Sequence, residues 1–170
     1  TLASVNRRQE VTLTRNAVDW CRQHGIEQIN FDLMYGLPHQ TVDTIRETVA
    51  IATLMNPSRF AFFGYAHVPW MKKHMNAMDY ESIPDTAARY DLFKAGSEAL
   101  EAAGYLPVGI DHYVRPDDGM YRQFTQRTLQ RNFQGYTTDT SNALLGFGAS
   151  AVSTLPLGYR RDRAHIASYE

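Results

Sequence analysis

The stretch Ile-Asn-Phe-Asp-Leu-Met-Tyr-Gly-Leu-Pro at residues 29–38 decides how this chain is read. Ile26 to Met34 is strand-like, with Ile and Phe around a polar break. Gly36, Leu37 and Pro38 then turn the chain out of a sheet. Asp32 is therefore expected near a strand end. An unpaired carboxylate in an apolar interior is expensive, so the acid is expected where the strand opens onto a cleft. That reading locates a ligand face.

Working outward, residues 7–24 read as a helix, with Val11, Ala17, Val18 and Cys21 at helical spacing. Gly25 is placed to end it in the left-handed conformation. Thr41 can cap a second helix whose apolar stripe is Val42, Ile45, Val49 and Ala52, with Asp43 in its first turn. Asn56 and Pro57 stop it. Arg59 to Tyr65 is an aromatic-rich strand, and residues 66–80 form a loop holding His67, Pro69, Trp70 and three methionines. Ser82 and Pro84 start a long helix through Ala103, ended by Gly104. Tyr105 to Ile110 is a third strand, followed directly by Asp111 and His112.

Helix, strand, helix, strand, helix, strand is the order expected of parallel strands joined by crossover helices. In such sheets ligands bind beyond the carboxyl ends of the strands. The polar residues expected there are Asp32, Tyr65 with His67, and Asp111 with His112. Polar strand ends also arise simply from meeting solvent, but here three strands deliver them to one face. After His112 the pattern changes. Val114 to Asp118 reads as a turn and residues 119–130 as a short polar helix. Residues 131–139 mix aromatics, amides and hydroxyls, and Leu144 to Thr154 is small and apolar. Asp162 opens what reads as a further helix over Arg163 to Ala167.

At 170 residues the length fits one domain or a piece of a larger one. With 44% hydrophobic and 21% charged residues, the composition is that of a globular protein. No segment approaches the roughly 18 uninterrupted apolar residues of a membrane span. A net charge of −1 leaves no basic footprint for nucleic acid. A single cysteine excludes an internal disulfide framework and suits a reducing compartment. Both ends read as cut, so a segment of a longer protein is expected.

Gly146-Phe147-Gly148-Ala149-Ser150-Ala151 matches a dinucleotide-binding pattern, which requires a strand before it and a helix after it. Pro156 would soon stop such a helix, so a close approach of backbone to another group is the better reading. The six histidines show no metal spacing. Cys21 falls on the apolar face of a helix and reads as core. There is no serine-hydrolase elbow. Arg7, just before the first helix, reads on its own as a solvated arginine.

Residues 29–38, Tyr-Ala-His-Val-Pro (65–69), Gly-Ile-Asp-His-Tyr-Val-Arg-Pro-Asp-Asp (109–118), Arg-Asn-Phe-Gln-Gly-Tyr-Thr-Thr (131–138) and Gly-Phe-Gly-Ala-Ser-Ala-Val-Ser (146–153) occur in that order. Together they resemble oxygen-independent coproporphyrinogen III oxidase (dehydrogenase), a radical S-adenosylmethionine (SAM) family of haem biosynthesis. The resemblance implies an α/β fold, part of a radical SAM (β/α) partial barrel with parallel strands, plus the start of an accessory region. Residues 1–113 are then the C-terminal part of the barrel, and 114–170 its end and the truncated accessory region. The family converts two propionates of coproporphyrinogen III to vinyl groups, giving protoporphyrinogen IX. It uses two SAM molecules and a [4Fe-4S] cluster. The resemblance implies that Arg7, Asp32 and Ala66 contact the second SAM and that Val152 contacts the cluster-bound one. Arg115 and Arg131 are candidates for the substrate propionates, since arginine recognises carboxylates bidentately. No residue is assigned to the substrate proton, and no metal ligand is expected here. The family's Cys-x-x-x-Cys-x-x-Cys cluster motif is missing, so the segment alone is expected to be inactive. Expected partners of the parent are coproporphyrinogen III and an electron donor, without nucleic acid or membrane. A monomeric, cytoplasmic parent is expected. A related haem chaperone on the same fold shares the Gly-Leu-Pro strand end and is the alternative.

Overall fold

The computed structural model describes residues 3–7, 9–133 and 135–169, without the side chains of residues 74 and 168. Gln134 of the fourth motif and the His74 side chain thus lie outside the described residues. The chain forms two compact units, Thr1–Tyr121 and Arg122–Glu170.

In the first unit, α1 (Val11–Gln23) leads into β1 (Asn30–Tyr35), α2 (Val42–Leu54), β2 (Arg59–Gly64), α3 (Thr86–Ala102), β3 (Leu106–Val108) and β4 (His112–Val114). The Thr41 cap is present as a reciprocal box. Thr41 Oγ1 accepts from the Thr44 amide, and Thr44 Oγ1 accepts from the Thr41 amide at 2.9 Å. Asp85, rather than Ser82 or Pro84, caps α3 by accepting from the Ala88 amide at 2.8 Å. Gly36 leaves β1 at φ +83°, which favours glycine. Gln40 closes that turn by accepting from the Leu37 amide and donating to the Met34 carbonyl.

The sheet order is β1-β2-β4-β3. β1 and β2 pair in parallel over six residues, Asn30 opposite Arg59 through Tyr35 opposite Gly64. The third expected strand differs. The segment 105–110 supplies only the three residues of β3, and Gly109 (φ +65°) helps turn the chain back. β4 then inserts antiparallel between β2 and β3. β3 runs in the direction of β1 and β2 but does not touch β2. The fold is thus mixed α/β with parallel pairing and no closed barrel among the described residues.

One face of the sheet is covered. Phe31, Leu33, Tyr35, Phe60, Phe62 and Tyr113 pack there against Ile45, Val49 and Ala52 of α2 and Leu92, Ala95 and Ala99 of α3. Phe60 and Phe62 are fully buried, and Phe60 meets Tyr105 edge-on with ring centres 4.8 Å apart. Two core phenols are satisfied at 2.7 Å, Tyr105 donating to the Pro57 carbonyl and Tyr113 to Ser97 Oγ. Strand alternation sends Asn30, Asp32, Met34, Ala61 and Phe63 to the opposite face. Near β3 and β4 that opposite face is closed over buried Val108, Val114 and Met120. There Asp118 pairs with Arg59 at 2.8 Å and accepts from the Met120 amide at 2.7 Å.

α4 (Gly119–Thr125) carries the chain into the second unit. That unit contains two hairpins, β5 (Gln130–Asn132) with β6 (Gly135–Thr137) and β7 (Val152–Leu155) with β8 (Gly158–Arg161). The short α5 (Ile166–Tyr169) follows. The helix expected from Arg163 begins later, because 158–161 extend as a strand paired to β7. Residues 146–151 form a loop leading into β7 rather than a strand-to-helix turn. A Cβ at Gly146 would lie 2.8 Å from the Val152 carbonyl oxygen. The close backbone approach is present, and the dinucleotide context is not.

Candidate functional site

Asp32 lies in the middle of β1, third of its six residues, rather than at the strand end. It is exposed, because helices cover only the other face, so no desolvation cost arises. Its hydrogen-bond partner is Asn30, whose Nδ2 donates to Oδ1 at 2.9 Å. Register places Asp32 opposite Ala61, and Ala61 opposite His112. Acid, methyl and imidazole therefore form one row across three strands on the face opposite α2 and α3, exposed at Asp32 and largely buried at His112. Two strand spacings set the outer Cα atoms about 10 Å apart. Ala61, between them, leaves the gap open. His112 is held at Nδ1 by Asp111 Oδ1, 2.8 Å away, and its side chain is 14% exposed. The Asp111 carbonyl accepts from the Phe62 amide at 2.7 Å. The hairpin thus brings Asp111 and His112 beside the carboxyl half of β2.

Beyond the carboxyl edge of β1 and β2 lies a cavity of about 560 Å³. Tyr65, Ala66, His67, Tyr80, Asp85 and Arg89 are among its lining residues. The Tyr65 amide donates to the Tyr35 carbonyl at 2.7 Å, extending the parallel ladder by one bond and setting Ala66 at the cavity wall. The Tyr65 phenol lies 3.1 Å from both His67 Nδ1 and Met78 Sδ. Burial pushes this phenol above its ordinary pKa, so it stays a neutral hydrogen-bonding group at physiological pH. The His67 and Tyr80 rings stand 5.7 Å apart.

The other expected site residues are distributed. Arg7 is exposed before α1, and its Nε donates to Gln9 Oε1 at 2.8 Å. Gln9 Nε2 in turn donates to Thr14 Oγ1. No hydrogen bond or ion pair joins Arg7 to Asp32 among the described residues. Arg115 sits at the amino edge of β2, the end away from Ala66. Its amide donates to the Ser58 carbonyl, and its guanidinium bonds Asn56 and approaches Asp117 at 3.5 Å. A second cavity of about 230 Å³ opens there, lined by Arg22, Asp117 and Asp118 among others. In the second unit, the Arg131 guanidinium lies 5.3 Å from the Tyr136 ring centre. Val152 is the half-buried first residue of β7. Arg89 had no signal of its own in the sequence, being one charge among Asp85, Asp91 and Lys94 in the first turns of a helix. Its placement beside Ala66 follows only from the folding of α3 over the ends of β1 and β2.

Cys21, half-buried in α1, is the chain's single thiol. No group of three His, Cys, Asp or Glu residues among those described is arranged to hold a metal ion.

A polar row on one sheet face, helices on the other and a cavity past the parallel strand ends characterise this mixed α/β segment. No protein-family model matches the chain. Its fold superposes on coproporphyrinogen III oxidase (HemN) from Escherichia coli, described as a radical SAM enzyme, with a TM-score of 0.93 at 32% identity. That match covers 98% of this chain and 38% of the other. The chain is 51% identical over 166 residues to oxygen-independent coproporphyrinogen III oxidase of Bradyrhizobium diazoefficiens. It is 43% identical over 167 residues to the protein of that name from Paracoccus denitrificans. These matches take in 98% and 96% of the chain but 37% of each relative. The chain thus spans a little over a third of the length of these relatives. The resemblance carried by the five motifs is borne out. The chain is a homologue of one segment of the oxygen-independent coproporphyrinogen III oxidases, and its α/β fold is that of the HemN structure.

Proposed function

We propose that the chain forms part of an enzyme that converts coproporphyrinogen III to protoporphyrinogen IX. The reaction would be SAM-dependent oxidative decarboxylation of two propionates. The observation that carries this reading is 51% identity over 98% of the chain to a protein named for that activity. The geometry supports it, since the uncovered face offers a solvated carboxylate and the cavity at the strand ends has a neutral phenol and an imidazole in its wall.

The residues present suit SAM as a ligand. Asp32, free of any cationic partner among the described residues, would pair with its ammonium or sulfonium group. Arg7 would bind a carboxylate through guanidinium nitrogens that Gln9 leaves unused. Ala66 would let the ligand approach the cavity wall closely, and Val152 would offer apolar packing to a second SAM. Bound SAM supplies the radical chemistry, and these residues bind and orient. The [4Fe-4S] cluster would be held by cysteines outside this segment. Arg115 and Arg131 are proposed for propionates. Each is already engaged, so a propionate would share or replace an existing contact. An electron donor, a monomeric state and a cytoplasmic location complete the proposal. No helix among the described residues is long and apolar enough to cross a membrane.

The test is anaerobic turnover of coproporphyrinogen III by the full-length protein with SAM and a reductant, following CO₂ release and vinyl formation. Haem binding without CO₂ release would instead favour a haem chaperone. Asp32→Asn should weaken SAM binding and slow turnover. Unchanged SAM occupancy and turnover in that variant would remove Asp32 from the site.

A further inference from the structure

Arg89 is half-buried, and its guanidinium makes no hydrogen bond or ion pair among the described residues. The obvious local partner is occupied elsewhere. Asp85, four residues earlier, uses its carboxylate to cap α3 at the Ala88 amide and forms no ion pair with Arg89. The guanidinium instead lies across two glycines at the carboxyl ends of the parallel strands. A Cβ at Gly36 would be 3.3 Å from Arg89 Cζ, and one at Gly64 would be 2.9 Å from Nη2. β2 thus ends in a glycine and β1 is followed by one where the fork lies. Arg89 also lines the cavity that holds Ala66 and His67. A planar fork kept partly out of water, with no anion to satisfy it, matches a planar carboxylate. Among the described residues the cavity lining has no second Lys or Arg, and it carries the Asp85 carboxylate, which together disfavour a doubly charged phosphate.

We propose that Arg89 is a carboxylate-binding residue, cradled by Gly36 and Gly64, that holds a ligand carboxylate in the cavity beside Ala66 and His67. The proposal rests on the oxidase reading only for the source of that carboxylate. Within that reading two sources carry one, a propionate of the porphyrinogen and the amino-acid end of SAM.

The test uses the full-length protein with two direct binding probes. Coproporphyrin III, the oxidised tetracarboxylate, is followed by fluorescence, and SAM by equilibrium dialysis. Arg89→Gln removes the charge, whereas Arg89→Met also keeps the apolar stem for packing. Gly64→Ala leaves Arg89 in place but puts a methyl where the guanidinium rests. Gly64 has no positive φ, so the backbone admits alanine, but its Cβ would also meet Tyr35 Cζ and Oη at 3.2 Å, and the two Arg89 variants therefore carry the test. All three should weaken the same probe by about ten- to a hundredfold, the range for a lost charge-assisted hydrogen bond. Loss confined to coproporphyrin assigns the carboxylate to the substrate, and loss confined to SAM assigns it to the cofactor. Unchanged binding of both probes in a variant with wild-type circular dichroism overturns the proposal, as does failure of the wild type to bind either probe. Turnover of coproporphyrinogen III by the wild type is measured separately. Its absence alongside a carboxylate-probe effect would refute the oxidase reading and leave the Arg89 assignment standing.

Discussion

Gly96 of α3 lies where the helix presses against β2, and Gly96→Ala separates two opposing effects there. Alanine in a helix interior gains about 1 kcal/mol over glycine. The added Cβ, however, would sit 2.3 Å from Phe62 Cζ, 2.7 Å from Phe62 Cε1 and 3.2 Å from Ile45 Cγ2. Carbon atoms pack at roughly 3.5–4.0 Å, so the shortfall exceeds an ångström. Phe62 is 1% exposed and has no route to solvent. The rings of Tyr35, Phe93 and Tyr113 stand 4.9, 6.2 and 6.3 Å from it, centre to centre. Overpacking of this kind costs about 3 kcal/mol, the upper part of the usual range. The net expectation is destabilisation by about 2 kcal/mol, which speeds amide exchange through local opening roughly thirtyfold. Hydrogen–deuterium exchange of the full-length protein, read on peptides covering 59–64 and 86–102, measures it. Phe62→Leu in the Gly96→Ala background should recover part of the loss, because the two changes share one space. Slower or unchanged exchange in Gly96→Ala would refute the packing argument.

Asp118→Asn should destabilise the first unit by about 3 kcal/mol, the low end for breaking a buried pair, because the Arg59 side chain keeps 25% of its surface in water; chemical denaturation checks this. Asp85→Ala removes the α3 cap and should cost about 1 kcal/mol, visible as faster exchange in the first turn of α3. Burial pushes Tyr65, Tyr105 and Tyr113 above the ordinary phenol value. Above about pH 10 the unfolded chain gives up protons that the folded one retains, so stability is full below that pH and falls as pH rises past it. Tyr113→Phe should flatten this alkaline loss, and an unflattened profile would exclude Tyr113 as a contributor.

Much of the first unit was legible because local chemistry and tertiary placement agree. Thr41 caps α2 as its side chain and position suggest, and Gly104 ends α3 with φ +87°. The β4 insertion was not legible. β3 and β4 are three residues each, too short for alternation to show, and antiparallel return through Gly109 depends on the edge that β2 offers. Asp85 was hidden behind the stronger start signals of Ser82 and Pro84. β8 reads Gly-Tyr-Arg-Arg, without an apolar face, and is a strand only because β7 pairs with it. For the site, Asp32 announced itself as an acid in an apolar run, but its exposure could not be read. Exposure there depends on which face α2 and α3 leave uncovered. Arg89 needed the fold entirely, since neither of its glycines is near it in sequence.

The strand order has a further consequence for handling the protein. β1 is an outer strand, so along one side the backbone N–H and C=O groups of Asn30 to Tyr35 have no ladder partner among the described residues. Such a border accepts whatever extended chain reaches it first. In a longer protein, a parallel strand added there would continue the β1–β2 series and widen the sheet. Expressed by itself, the segment carries an open template, and self-association along β1 is the expected route to insoluble material. A charged or proline-bearing substitution on that border, away from Asp32, is the direct remedy.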